Sequence, residues 1–354
     1  MKDFGQSPFL VIWEVTQACH LACRHCRASA QPNRHPLELT RAEGRRLLET
    51  IADFDNPLMV FTGGDPLERP DLFELIDKSV QLGLRTTVTP SATALLTPDS
   101  LLRFRNAGVA RLAISLDGPD ASSHDDFRKV SGSFDRTMTA LEEAKRIGLA
   151  TQVNTTVTRH NCKRLGEIAR LVEEAGSRLW SVFFLVTTGR AAQLDDLDAG
   201  GYEEVFGFLY DLSKRVSFDI KTTEAQHYRR HVAQRRKAEP GSERSASPAS
   251  DVIARQAGIN DGKGLVFISH LGEIFPSGFL PLSAGNVRRD SLIDVYRTSA
   301  LFMRLRDSSQ LGGKCGICEF RNLCGGSRSR AYASTGDHMA EDPRCSYQPA
   351  RRLQ

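Results

Sequence analysis

The sequence predicts an α/β protein: an open six-stranded parallel (β/α)6 partial TIM barrel, followed by a small C-terminal cysteine-rich domain. Three observations carry this. Apolar runs of strand length alternate with segments of helical period through the first half of the chain, the pattern of repeated βα units around a parallel sheet. Chemically distinctive residues fall just after the apolar runs, at the carboxyl ends of strands where such sheets collect function. A polar Pro/Ser-rich stretch then separates this half from a second group of cysteines near the end.

Taken in order, strands are expected at 9–15, 58–62, 85–89, 111–115, 151–156 and 180–185. Helices are expected between them at about 40–54, 71–82, 98–106, 134–147 and 165–175. The first helix opens on Thr40-Arg41-Ala42-Glu43, a capping box in which each side chain satisfies the other's backbone N–H. Residues 233–256 are too polar to build a core and are expected as a mobile loop. The domain division is therefore 1–190 for the barrel, 191–260 for a helical linker with that loop, and 261–354 for the cysteine-rich part.

Composition limits the function classes. With 40% hydrophobic and 25% charged residues among 354, the balance is ordinary for a globular chain. A net charge of +4 gives no argument for nucleic acid, although local basic patches suit an anionic ligand. The first residues lack the charged start and apolar run of a signal peptide, and no stretch is long enough to span a bilayer, so a cytoplasmic protein is expected.

Eight cysteines are too few for a disulfide scaffold in a chain of this length, and seven of them fall into two groups with ligand-like spacing. Cys162 stands apart as an incidental thiol. Cys19, Cys23 and Cys26 form a C-x3-C-x2-C run after the first strand. Three thiolates at this spacing wrap three irons of a cube and leave the fourth iron open; a structural zinc knot with His20 or His25 as fourth ligand is the other reading. Cys315, Cys318, Cys324 and Cys345 supply four thiolates, enough to close a cluster completely or to hold structural zinc.

Other candidates follow the later strands. Gly63 and Gly64 let the backbone approach a ligand closely beside Asp65. Ser115 offers a hydroxyl at the end of the fourth strand, and Arg128 offers a fork for a carboxylate; a turn shaped by Asp117-Gly118 and a surface ion pair are the structural readings. Asn154 is polar within an apolar strand and needs a hydrogen-bond partner, either a ligand or neighbouring backbone. His227, Tyr228, Arg229 and Arg230 cluster before the polar stretch, as an anion grip, an iron ligand set or a solvated basic face.

The segment from Trp13 to Cys19, with His25-Cys26-Arg27-Ala28, resembles the opening of radical S-adenosylmethionine (SAM) enzymes. That resemblance implies a 4Fe-4S cluster on Cys19, Cys23 and Cys26, SAM bound at its open iron, and release of a 5'-deoxyadenosyl radical that takes a hydrogen atom from substrate. It implies SAM-binding roles for His25, Gly63, Gly64, Asp65, Ser115, Arg128 and Asn154. Gly63-Gly64-Asp65-Pro66 resembles the Gly-Gly-Glu-Pro motif that holds the SAM amino group, with a shorter acid. The last cysteines resemble the SPASM extension, but Arg328 stands where a further cysteine belongs and the upstream hairpin reads Phe275-Pro276-Ser277-Gly278, so one auxiliary 4Fe-4S cluster is expected. Cys23-Arg24-His25-Cys26-Arg27-Ala28 with Cys324-Gly325-Gly326 resembles the alternative haem and haem d1 synthesis enzymes. This implies an iron tetrapyrrole substrate gripped by His227, Tyr228, Arg229 and Arg230, and an electron donor such as ferredoxin or flavodoxin. Maturation of a ribosomal peptide is the second enzymatic reading, and a non-catalytic iron-sulfur electron carrier is the third.

Overall fold

The computed structural model describes residues 3–194, 196–239 and 258–350. The six expected strands are present as β1 (Leu10–Glu14), β2 (Leu58–Thr62), β3 (Arg85–Val88), β4 (Arg111–Ser115), β5 (Thr151–Val157) and β6 (Leu179–Phe184), each parallel to the next. The expected helices appear as α1 (Arg41–Ala52), α2 (Leu72–Gln81), α3 (Pro98–Asn106), α5 (Ser133–Arg146) and α6 (Leu165–Glu174). A short additional helix, α4 (Ala121–Arg128), starts where the Asp120 side chain accepts from the Ser123 N–H. Thr40 and Glu43 form the anticipated capping box on α1.

The sheet extends past the six strands at both edges. β7 (Asp219–Thr223) pairs in parallel with β6, and β8 (Leu265–Ile268) pairs in parallel with β1. β9 (Glu273–Phe275) and β10 (Gly285–Asn286) continue antiparallel, giving ten strands in the order β10-β9-β8-β1-β2-β3-β4-β5-β6-β7. β7 escaped the sequence reading because only Ile220 of Asp-Ile-Lys-Thr-Thr joins the core, so no apolar run marks it. β8 is apolar, but no local pattern tells that it returns to cover the edge of β1. The stretch expected as linker thus holds α7 (Ala199–Ser213), β7 and α8 (His227–Ala238). The expected mobile loop at 233–256 begins as helix; its continuation at 240–257 lies outside the described residues.

The two faces of the sheet differ. Trp13, Phe61, Val88, Leu112, Val153, Trp180 and Ile220 pack with the surrounding helices into one core, each fully buried large side chain contributing about 1.5–3 kcal/mol. Gly44 of α1 is required there, because a Cβ would stand 2.6 Å from the Trp13 ring. Alternate residues point into the barrel. Ser115, Asn154, Ser181 and Lys221 are register partners on β4 to β7 and form one such interior row.

The C-terminal part does not stand free of the barrel. Ile268, Ile274, Leu292, Tyr296 and Phe302 belong to the barrel core, and the Tyr296 hydroxyl donates to Phe4 O at 2.7 Å. Leu280, Leu305, Leu311, Cys315 and Met339 form a separate small core, near α9 (Leu292–Thr298), α10 (Ala300–Arg306), α11 (Gly313–Ile317) and α12 (Arg328–Thr335). Among the described residues no helix is long and apolar enough to cross a membrane.

Candidate active site

After β1 the chain makes an excursion closed at its base by the bridge between Ala18 and Gln31, with Cys19 N donating to Gln31 O at 2.8 Å. Cys19, Leu21, Cys23 and Ala30 pack together inside it, with Cys26 and Val130 against them. Each sulfur has a donor aimed at it: Leu21 N–H to Cys19 at 3.3 Å, an Arg128 guanidinium N–H to Cys23 at 3.5 Å, and Ala30 N–H to Cys26 at 3.4 Å. Such donors stabilise thiolates and tune the metals they hold. Burial lifts the free Cys19 thiol to about 11, so cluster assembly displaces a proton there.

The glycine turn after β2 locks onto this excursion. Gly64 N–H donates to Thr16 O at 2.9 Å and Asp65 N–H to Ala18 O at 2.7 Å. A Cβ on Gly64 would lie 2.5 Å from the carbonyl oxygens of both Gln17 and Ala18, so only glycine permits this backbone contact. Asp65 is buried and turned inward. Its carboxylate accepts from Leu67 N at 3.1 Å, Ser91 N at 3.3 Å and the Thr93 hydroxyl at 2.7 Å. Burial pushes its carboxyl up to about 6 against those hydrogen bonds. Asp65 therefore ties the glycine turn to the loop after β3, while Ser91 donates its hydroxyl to Gly64 O at 2.8 Å.

Arg128, besides facing Cys23, forms an ion pair with buried Asp117. Burial works to raise the Asp117 carboxyl, but the Arg128 guanidinium and the Thr156 N–H hold it below its ordinary value. The other Asp117 oxygen accepts from Thr156 N at 2.7 Å, so the pair joins the cysteine loop to β5. His25 stacks on Phe127 with ring centroids 4.6 Å apart; burial lowers its pKa to about 4 and keeps it neutral. Ser115 and Asn154 stand side by side in register at the interior surface. Asn154 accepts from the Gln152 amide at 2.7 Å.

Two residues that the sequence did not mark also hold the loop. Gly189, at φ +56, lies so close that a Cβ would meet Arg27 O at 2.3 Å. Arg190 donates to Cys23 O at 2.9 Å and Ala30 O at 3.4 Å. No motif distinguishes Gly189-Arg190; only the tertiary contact does. Buried Glu14, at the end of β1, pairs with Arg27 at 2.5 Å and His270 at 3.0 Å.

Cys315, Cys318, Cys324 and Cys345 line one small cavity of about 20 Å³, shared with His227, Arg230, Lys314, Arg321, Gly325, Gly326 and Tyr347. Gly326 N–H donates to Cys324 at 3.4 Å, and Arg328 reaches toward Cys315 at 4.0 Å. Among the described residues, no three His, Cys, Asp or Glu side chains are drawn in closely enough to hold a single ion. Four thiols around one space are a donor set for a cluster or for a structural zinc ion.

The structure places the anticipated substrate group around this second cavity and in the core. His227 and Arg230 line the cavity. His227 stacks on Tyr202, and Arg230 pairs with Glu203. Tyr228 is buried against Phe206. Arg229 donates to Ile259 O at 2.8 Å and Leu323 O at 3.3 Å. The sequence showed that these side chains cluster but not that His227 and Arg230 come to line the cysteine cavity.

The model of the Radical SAM superfamily matches residues 13–189. An AdoMet-dependent heme synthase of Nitratidesulfovibrio vulgaris is 44% identical over 99% of this chain and 95% of its own length. A protein of the same description from Methanosarcina barkeri is 38% identical over 99% of this chain and 100% of its own length. Among solved structures, Streptococcus suis SuiB bound to S-adenosylmethionine superimposes with a TM-score of 0.73 at 17% identity, covering 97% of this chain and 78% of that one. At that identity the likeness speaks for the fold.

Proposed function

The chain belongs to the radical SAM superfamily, and from that premise we propose that it converts propionate side chains of an iron tetrapyrrole into vinyl groups. It is an enzyme that uses SAM and a 4Fe-4S cluster. The observation that carries the substrate is the 44% identity, along nearly the whole chain, to a relative described as a heme synthase. The interior offers a matching surface. Phe183 projects from β6 beside the Ser181 row, its ring 6.5 Å from that of Phe279. Arg27 lies over the Phe267 and Phe279 rings at 4.7 and 6.0 Å. A flat apolar macrocycle with charged edges suits aromatic walls flanked by cations.

Cys19, Cys23 and Cys26 would hold a 4Fe-4S cluster, whose chemistry would be to supply the electron that splits SAM into methionine and a 5'-deoxyadenosyl radical. Gly63 and Gly64 present backbone to the SAM amino acid moiety, with Asp65 holding their turn in place. Ser115 and Asn154 face the nucleoside, His25 closes the site beside Phe127, and Arg128 positions Cys23 through its pair with Asp117. In the conversion, one hydrogen atom passes from the propionate β carbon to deoxyadenosine, carbon dioxide leaves, the carbon–carbon double bond forms and one electron remains. Cys315, Cys318, Cys324 and Cys345 would hold an auxiliary 4Fe-4S cluster, which would supply an acceptor for this electron. A low-potential donor of the ferredoxin or flavodoxin class would supply the first one.

The test is anaerobic turnover of the reconstituted protein with SAM, dithionite and iron-coproporphyrin III. The expected result is deoxyadenosine formed in step with a product lighter by one carbon dioxide and two hydrogens per converted side chain, from protein holding roughly eight irons. Deoxyadenosine unchanged by the porphyrin, with no such product, would overturn the tetrapyrrole reading.

A further inference from the structure

Positive charge inside the barrel exceeds what the cofactor site uses. Lys221 lies at the centre of β7, between Ile220, which enters the helix-facing core, and Thr222. Alternation therefore turns Lys221 inward, in register with Ser181, Asn154 and Ser115. The contact of the Ser181 and Thr223 hydroxyls at 3.4 Å confirms that β6 and β7 share this interior face. Lys221 keeps accessible surface although protein surrounds its amine, as a side chain lining an internal space does.

Among the described residues the Lys221 ammonium has no hydrogen-bond or ion-pair partner. The charges that bear on it, from Arg111 and Arg229, are both positive. Arg111 is itself an interior residue, paired in register with Thr87, and Asp219 stands near it. Arg229 is engaged with two backbone carbonyls, and among the described residues no carboxylate bears on Lys221. An enclosed ammonium without a counter-ion is costly. Burial and the neighbouring cations lower its pKa to about 8. An arriving anion offsets the desolvation and restores full charge. On one side of the same row Phe183 and Phe279 supply an apolar wall.

We propose that Lys221, backed by Arg111, is the anchor for a carboxylate of the substrate and fixes which propionate of the macrocycle reaches the Ser115–Asn154 end of the row. This rests on the tetrapyrrole reading. Lys221 is a positioning residue here; its ammonium binds a side chain of the substrate and takes no part in breaking bonds.

The experiment is an anaerobic binding titration of cluster-loaded full-length protein with iron-coproporphyrin III and with its tetramethyl ester. The wild type should bind the acid and bind the ester at least about tenfold more weakly. Lys221→Met should weaken binding of the acid by about 10- to 100-fold, the range of a lost charge-assisted hydrogen bond. It should hardly alter binding of the ester, while Lys221→Arg should restore most of the affinity for the acid. Equal affinity of the wild type for acid and ester overturns the anchor even if the Met variant does not fold, as does a folded Met variant that binds like wild type. Loss of SAM affinity in place of porphyrin affinity reassigns Lys221 to the cofactor and also overturns it. A wild type that binds no iron-coproporphyrin at all removes the tetrapyrrole reading, and the anchor falls with it.

Discussion

The two cysteine centres use the same ligand atom in opposite settings. The first draws three cysteines from one short loop, and other elements hold that loop: Gly64 after β2 and Arg190 after β6 by its backbone, and Arg128 at the end of α4 by the Cys23 sulfur. Beyond it lies the interior row that leads to Lys221. The second gathers four cysteines from separate points of the C-terminal part around one cavity, with Arg230, Lys314 and Arg321 beside them. On the proposed function, the difference teaches that the ligand count and the source of the supporting contacts separate a site that must admit reactants from one that needs only to take up charge. An open metal position demands a ligand loop rigid without a fourth ligand, and here backbone contacts supply that rigidity.

The largest expected effect breaks the first centre alone. Replacing Cys19, Cys23 and Cys26 together by Ala should abolish deoxyadenosine formation and leave about half of the iron on the protein. Iron analysis with a turnover assay checks this, and residual SAM cleavage would refute the assignment. The complementary change sharpens the contrast. Cys345→Ser should lower the iron content and suppress the vinyl product while deoxyadenosine still forms, because the leftover electron loses its acceptor. A variant that makes vinyl product at the wild-type rate would show that the second centre is not that acceptor.

The first centre was readable in the sequence because its ligands and its glycine turn are local motifs placed at strand ends. Ser115 stood out at the end of β4 and Asn154 as a polar residue within β5, and the register sets them side by side. The contacts that make the loop rigid were not readable, since Gly189 and Arg190 belong to no pattern and act across 160 residues of chain or more. The second centre shows a different failure. Its cysteines were evident and so was the cluster of His227 and Arg230, but sequence clustering carries no direction, and only the fold brings those two side chains to the cysteine cavity. Lys221, four residues from Ala225, lay in the same basic stretch, and only the strand alternation of β7 turns it inward. Polar residues on an interior face also hid β7 itself, since the apolar half of the strand is the single Ile220.

A smaller change tests whether backbone contact is what keeps the first centre in shape. Gly64→Ala would put a Cβ 2.5 Å from Gln17 O and Ala18 O, and neither backbone oxygen has room to retreat while Gln31 and the glycine turn hold the loop base. The two loops should separate, with SAM affinity falling at least about tenfold, equivalent to about 1.4 kcal/mol, and with the C-terminal iron retained. Isothermal titration with SAM on the reconstituted variant reads this directly. Unchanged affinity would mean that the turn yields and that the rigidity argument fails.

The last prediction concerns Asp65 and bears on stability alone, because its position inside the turn separates a supporting role from a ligand-binding one. Its folded carboxyl titrates near 6, raised by burial from 3.8. Between about pH 4 and 6 the folded chain therefore holds a proton that the unfolded chain has released, and stability falls as pH rises through that window. The cost is fully present above about pH 6 and amounts to about 3 kcal/mol on the scale of 1.36 kcal/mol for each pKa unit. Asp65→Asn removes that ionisation and keeps an oxygen for the Leu67 and Ser91 N–H groups. Its amide also faces the Thr93 hydroxyl, which accepts as well as donates. Relative to wild type, the variant should gain stability as pH rises from 4 to 6 and hold that gain above it, as read from parallel urea midpoints of the cluster-free proteins. A difference that stays flat across this window would mean that Asp65 is ionised there without penalty and faces solvent or a cation, in which case its carboxylate is free to meet the SAM amine itself.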